Sequence, residues 1–456
     1  MRRTFTTLAI DDERNITFGK APVPVTCGYG LEIGGGKVYP EINFTLPPIL
    51  IEEETWSEVR GHYEEMAEMI VRAPRRLHLP GLVVEFELLP PMTEKPAWGA
   101  EITGILHRAL QKAHDDYGLP CALRVTPTDI RERNRPPVLR SGDAWETLCA
   151  SFEQCAVAGA DILSIESVGG KEVHDQSLLY GDVRGALFAL GVLAPRDMEW
   201  LWTNIVGICA KHGVVAGGDS ACGFANTAMQ LAHQGMLPEV LAAVIRGASA
   251  VRSLVAFQCG AVGPSKDCAY EGPVMKAIAG VPIAMEGKSA SCAHFSPVGN
   301  VAAAMCDLWS NESVQNVRLL SGSAPEAFLE LLAYDCRLMN KALETDGGRQ
   351  YRSLLVESDV SLSPQALILS PASTIRIAEA IVHAPTPYLQ TVAAARAAAG
   401  IVRDATPGIL TLSGRELNWL EKIEQAIESM PKDEDALIEE MQETYGHLFA
   451  ASSYGM

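Results

Sequence analysis

Between residues 80 and 325 the chain repeats one pattern: a short β-branched and apolar run, a turn, then a longer stretch with apolar residues every three or four positions. The runs are Leu82–Leu88 (LVVEFEL), Ala122–Thr126 (ALRVT), Asp161–Ser167 (DILSIES), Val214–Gly217 (VVAG), Ser253–Cys259 (SLVAFQC), Pro282–Glu286 (PIAME) and Val317–Gly322 (VRLLSG). Their starts lie about 30 to 50 residues apart, near the length of a βα unit. Helical spacing is clearest in WGAEITGILHRALQKAHDDYG, DAWETLCASFEQCAVAGAD and PRDMEWLWTNIVGICAKHG, the last opening on Pro195 and closing on Gly213, as helices favour. Strands alternating with helices, and apolar on both faces, predict a parallel sheet buried between helices. A closed (β/α)₈ barrel is the first reading, with an eighth strand still to be found; a doubly wound open sheet is the second. No strand-linked GxGxxG favours the open sheet.

The flanks read differently. Residues 1–75 hold a Gly-rich hairpin in LEIGGGKVYPEI and a helix in ETWSEVRGHYEEMAEMIVRA, and are predicted to cap a barrel assigned to residues 76–345. Residues 346–456 are alanine-rich and helical, an extension that lies on the barrel or holds a partner. Within it Ser413 to Glu416 (SGRE) is a capping box that opens a helix running to Met430.

A formal charge of −19 disfavours binding to a phosphate backbone, so nucleic acid is excluded as the expected partner. The start, MRRTFTTLAIDDERN, meets acidic residues before any apolar core of a secretory signal, which points to the cytoplasm. Apolar runs such as GALFALGVLAP fall short of the roughly 20 residues a membrane span needs. Eleven cysteines in such a chain are expected to be reduced thiols. Cys149, Cys155, Cys209, Cys306 and Cys336 lie in helical stretches and read as small core hydrophobes.

A parallel barrel gathers the residues just past its strand ends into one mouth. Glu166 ends the third run, Cys222 follows the fourth in GGDSACGFANTAM, and Cys268 follows the fifth in CGAVGPSKDCAYEG. Two thiolates and a carboxylate make the three-ligand set of a catalytic zinc with one position open, and sulfur selects zinc over magnesium or calcium. Each residue also has a plain structural reading: Cys222 and Cys268 as loop or core thiols, Glu166 as the partner of nearby Lys171. Spacing alone leaves both open, because there is no CxxC or HExxH. His294, in KSASCAHFSP with Cys292, is a reserve ligand or a residue behind the ligands. The GKS at Gly287–Ser289 is not a phosphate loop, since Pro282 stands where the pattern needs glycine. Glu85, Glu87, Asp219 and Glu286 are acid–base candidates near strand ends.

Read together, ADILSIESVGGKEVHD, AGGDSACGFANTAM, RSLVAFQCGAVGPSKDCAYEG, AIAGVPIAMEGKSASCAHFSPVGN, CDLWSNESV and LAYDCRLMN resemble the zinc-dependent methanol:corrinoid methyltransferase family. Weaker similarity reaches FGKAPVPV and PAWGAEI, so the resemblance spans nearly the whole chain. It implies a (β/α)₈ barrel holding zinc through Glu166, Cys222 and Cys268, with zinc drawing electron density from methanol oxygen while Co(I) of a corrinoid attacks the methyl carbon. It implies a separate corrinoid protein docked over the barrel mouth, and an assembly built on a homodimer. The corrinoid is expected on another polypeptide, because this chain lacks a DxHxxG pattern. The departing oxygen needs a proton, for which Asp219 and Glu85 are the candidates. Two alternatives remain: a related methyltransferase acting on a methoxylated aromatic or another donor, and a metal-free scaffold that carries the corrinoid partner.

Overall fold

The apolar runs assemble into a parallel sheet that curls until its two edges meet. A computed structural model of the chain describes all residues except 1, 2, 267, 269, 315–317 and 321. Strands β1 (Lys20–Cys27) and β2 (Leu31–Gly35) form an antiparallel hairpin. Seven further strands follow: β3 (Tyr39–Thr45), β4 (Leu82–Leu88), β5 (Cys121–Pro127), β6 (Ile162–Ile165), β7 (Val215–Asp219), β8 (Ala284–Glu286) and β9 (Leu308–Val314). They form one parallel sheet in the order β7-β6-β5-β4-β3-β9-β8.

Residues 262–265 close the gap between β7 and β8. Val262 and Gly263 donate their N–H groups to the carbonyls of Ala216 (2.9 Å) and Gly217 (3.0 Å), and Ser265 bridges Ile283 in parallel. This segment is the eighth position of a (β/α)₈ barrel whose strands run in chain order. Gly217 and Gly218 permit the closure: a Cβ at Gly217 would lie 2.6 Å from Ser164 Oγ, and one at Gly218 would lie 3.1 Å from Ser265 Cα. Side chains there would hold the strands apart.

The interior is layered. At the N-terminal end of the strands, Tyr39, Val83, Ala122, Ile162, Ala284 and Leu308 form an apolar floor, sealed from below by Cys27, Leu31 and Ile33 of the hairpin. Above it lies a polar layer centred on Arg124, which donates to Glu41 Oε1 at 2.7 Å and to Ser164 Oγ and the carbonyls of Pro264 and Ser265 at 3.1 Å each. Arg124 and Glu41 are fully buried, so the pair is held by saturation of its donors as much as by charge. The layer fastens β3, β5 and β6 to the closing segment.

Several expectations need correction. The hairpin is made by β1 and β2; LEIGGGKVYPEI instead carries β2 into β3, which is itself the first barrel strand, so the barrel begins inside the segment read as a cap. SLVAFQC is the end of the helix Glu239–Cys259, not a strand. That helix is apolar all round because Pro387–Asp404, Ala194–His212 and Pro364–Ile368 pack around it, and uniform apolarity erases the periodicity that separates helix from strand. It is also the one described helix long and apolar enough to cross a membrane, and every residue of its most apolar stretch is buried inside the fold. VRLLSG includes residues 317 and 321, which lie outside the described set; its Arg318–Leu319 pairs with Gly322–Ser323 in a small antiparallel ribbon. The last barrel strand is β9, whose polar Ser310 and Asn311 are buried.

Other helix boundaries agree. Ala194–His212 begins beside Pro195 and ends at Gly213 with φ 68°, and Ser413 Oγ accepts from Glu416 N–H at 3.3 Å to open Gly414–Glu428. Glu416 does not fold back on Ser413. Its carboxylate instead accepts from Glu239 and Val240 N–H at the start of the long buried helix (3.2 and 2.9 Å), tying the C-terminal extension to the barrel.

Candidate metal centre

Three consecutive positions of the barrel deliver one donor each to its C-terminal mouth. Glu166 follows β6 directly and forms a parallel bridge with Thr128. Cys222 opens a single π-helical turn, Cys222–Asn226, after β7. Cys268 follows the closing segment. The donor atoms of these three all lie within 4.8 Å of one another, the one such group of three or more among the described residues. Cys268 Sγ stands 2.5 Å from Glu166 Oε1. Such crowding of a sulfur and a carboxylate oxygen, with a second sulfur alongside, is the arrangement a divalent cation would relieve by sitting among them. Two sulfurs and one oxygen fit the donor chemistry of zinc.

The loop after β7 is held from several sides. Asp219 Oδ1 accepts from Ser167 N–H (3.2 Å), Ser220 N–H (2.8 Å) and Arg252 (3.2 Å), and its Oδ2 accepts from Trp202 Nε1 (3.0 Å). Arg252 also donates to the carbonyl of Ser220 at 2.7 Å. The sequence reading offered Asp219 as a proton donor. The structure uses it as an anchor, with both oxygens occupied, 1% exposed and outside the cleft described below. Ala221 N–H is held by Glu271 Oε1 at 2.8 Å, and Ser220 Oγ lies 3.4 Å from Cys268 Sγ. Asn226, readable in sequence only as a helix-entry residue, joins the two thiol loops: its Nδ2 donates to the Cys268 carbonyl at 2.5 Å and faces Cys222 Sγ at 3.8 Å.

Glu85 is brought to the site at one remove. Its Oε1 accepts from Thr126 Oγ1 at 2.8 Å, and Lys266 Nζ lies 3.2 Å away. Lys266 also faces Glu87 (2.7 Å), Glu166 (3.6 Å) and Cys268 Sγ (3.9 Å). This ammonium was missed in the sequence, where Lys266 stands in a loop whose cysteine drew attention. The lysine suggested as a partner for Glu166, Lys171, pairs with Asp175 instead.

On the β8 side, His294 lies 3.4 Å from Glu286, which accepts from Tyr270 Oη at 2.9 Å. His294 is therefore not brought into the three-donor group. Tyr270 has φ 62°, held there by that hydrogen bond and by Arg246 over its ring. A non-glycine residue in the left-handed region next to a donor loop marks a backbone constrained by its surroundings. Cys292 is exposed, whereas Cys155, Cys209, Cys306 and Cys336 are buried and Cys149 is half-buried.

The electrostatics favour protonated thiols until a cation arrives. The hydrogen bond between the two sulfurs pulls Cys222 down, but burial and the charges of Glu166 and Glu286 outweigh it and push the thiol up to about 11. The same bond pushes Cys268 up, and burial and neighbouring charge add to it. A cleft of about 210 Å³ leads to Glu166, lined by Glu87, Thr126, Asp129, Glu166, Lys171 and Gly223 among others.

A model of the family described as methanol-cobalamin methyltransferase B subunit matches residues 2–455 of this chain. Over 460 residues the chain is 38% identical to the methanol–corrinoid protein co-methyltransferase of Methanosarcina barkeri (strain Fusaro / DSM 804), covering 99% of each. Its fold matches a chain in the crystal structure of the methanol:cobalamin methyltransferase complex MtaBC from Methanosarcina barkeri, with a TM-score of 0.95, 38% identity and 100% of both chains covered.

Proposed function

The chain belongs to the methanol-cobalamin methyltransferase B subunit family, and from that membership we infer an enzyme that transfers the methyl group of methanol to the corrinoid of a partner protein, with zinc at its barrel mouth. The observation that carries the zinc assignment is the convergence of Glu166, Cys222 and Cys268 within 4.8 Å. These three would hold the ion, which when bound supplies a Lewis acid that draws electron density from the oxygen of methanol. The remaining work belongs to the protein. Asn226 ties the two cysteine loops together, and Asp219 with Arg252 fixes the loop that presents Cys222. The carbon–oxygen bond breaks with both electrons on oxygen, which must take a proton to leave as water. The cleft gives that proton a route past Glu87 and Glu166, each 34% exposed, while buried Glu85 orients Lys266 rather than meeting solvent.

Elemental analysis of the purified protein, with methyl transfer from methanol to the reduced corrinoid partner followed by cob(I)alamin absorbance, tests the reading. One zinc per chain and turnover with methanol are expected. Turnover with methoxylated aromatics but not methanol would favour the related enzyme, and absence of stoichiometric zinc would favour a metal-free scaffold.

A homodimer is the second part of the proposal. Leu331, Tyr334 and Leu338 are 57%, 59% and 54% exposed along one face of the helix Ala324–Glu344. An apolar stripe at this spacing supports self-association through an isologous contact. Sedimentation velocity should find a dimer for the native chain and a monomer for Tyr334→Lys with Leu338→Lys; a dimer unaffected by both changes places the contact elsewhere.

A further inference from the structure

Lys266 is the cationic side chain set among the donors, and the family assignment gives it no task. Its side chain is 1% exposed. Its ammonium is surrounded by Glu85 and Glu87 from β4, Glu166 after β6, and the Cys268 sulfur, at 3.2, 2.7, 3.6 and 3.9 Å. A buried ammonium is costly unless paired, and this one is paired three times over. The excess of carboxylates is the informative part. Glu85 and Glu87 both project into the barrel from alternate positions of one strand, as a period of two requires. Each is an oxygen donor that shares an ammonium with Glu166, and both turn toward Lys266.

We propose that Lys266 is a positioning residue that acts as a fixed counter-cation. It engages Glu85 and Glu87 so that neither becomes an additional ligand, and its charge opposes the divalent ion enough to keep the ion's remaining position for the substrate oxygen. The geometry shows a competition between two cations for one set of anions. Two thiolates and Glu166 supply three negative charges to the ion. Without Lys266, the two carboxylates on β4 would lose the ammonium that draws them, and would add two more. Removing Lys266 should then tighten metal binding while it weakens catalysis, the reverse of what loss of a merely structural lysine would do.

This inference rests on Glu166, Cys222 and Cys268 being the ligands, which the zinc content of the native protein tests separately. The experiment compares native enzyme, Lys266→Met and Lys266→Arg, each loaded with zinc and challenged with excess chelator. Lys266→Met should lose zinc at least about tenfold more slowly, because a like charge beside the ligands has been removed. Lys266→Arg, which keeps the charge, should release it near the native rate. With Co²⁺ in place of zinc, Lys266→Met should absorb more weakly per ion in the visible, reporting added coordination by carboxylate, and kcat should fall more than KM rises. The pair Glu85→Gln with Glu87→Gln on the native background reads the opposite sign: an ammonium released from both carboxylates leans on the ion, and zinc should leave at least about tenfold faster. Faster zinc loss from Lys266→Met, or an unchanged rate in both it and the Glu85/Glu87 pair, overturns the proposal. Should Lys266→Met fail to fold, the Glu85/Glu87 pair decides alone.

Discussion

Replacing Cys268 with alanine is expected to leave the folded protein nearly free of zinc and to slow methyl transfer roughly a thousandfold, the loss of about 4 kcal/mol of activation. Cys268 is 4% exposed and sits between the other donors: Glu166 Oε1 at 2.5 Å on one side, Ser220 Oγ at 3.4 Å on another, and Lys266 at 3.9 Å. Its removal leaves one sulfur and one carboxylate, beside an ammonium that now meets less competition for Glu166. Two ligands cannot fix a tetrahedral site, and no other thiol among the described residues joins the three-donor group. The thermal stability of the metal-free protein should change little, since the loop is also held by Asn226 and Glu271. Cys336→Ala is the control that separates metal from packing. Cys336 is buried in the helix Ala324–Glu344, away from the mouth. Its loss should cost about 1 kcal/mol of stability and leave zinc content and turnover intact. Full zinc occupancy in Cys268→Ala would remove that residue from the ligand set.

Much of the candidate site was legible because it depends on strand order more than on strand boundaries. Glu166, Cys222 and Cys268 each follow a barrel position in sequence, and a parallel barrel brings such residues together even when one position is drawn wrongly. SLVAFQC was taken for the strand before Cys268; the true segment is 262–265, a few residues later, and the loop it feeds is the same. That segment was hidden because its Gly263 and Pro264 contradict strand propensity, whereas the helix before it is apolar on every side. β3 and β9 were hidden for a related reason. Their inward residues, Glu41, Asn43 and Ser310, are buried polar groups of the barrel interior, and a strand that faces a polar layer loses the apolar alternation that would announce it. Lys266 and Asn226 could not be recognised as site residues from spacing, because their partners come from β4, β6 and the loop of Cys268, far away in the chain. Asp219 shows what its place in the sequence hides. An aspartate beside a functional cysteine invites a catalytic role, but its four donors were invisible until Trp202, Arg252 and the loop after β6 were in place.

Zinc affinity should rise steeply with pH, by about 100-fold per unit from pH 5.5 to 7.5. The sign follows from the thiols. The bond between the two sulfurs lowers Cys222, yet burial and the charges of Glu166 and Glu286 still push it up to about 11, while the same bond, burial and neighbouring charge all push Cys268 above its ordinary value. Throughout this window both sulfurs of the metal-free protein therefore hold protons, and each must release one to become a ligand. Two protons leaving for each ion bound give a slope of about two in the logarithm of the affinity against pH. Acid drives the equilibrium toward the metal-free protein; alkali drives it toward the loaded one, until the pH passes the lower of the two thiol values and the slope begins to flatten. Competition titrations against a chelator of known proton linkage, at half-unit steps, measure this directly. A slope near one would mean that only one cysteine binds as a thiolate or that one is already ionised in the metal-free protein. A flat profile would mean that neither thiol gives up a proton on binding, because both are already ionised in the metal-free protein or because oxygen ligands around Glu166 hold the ion instead.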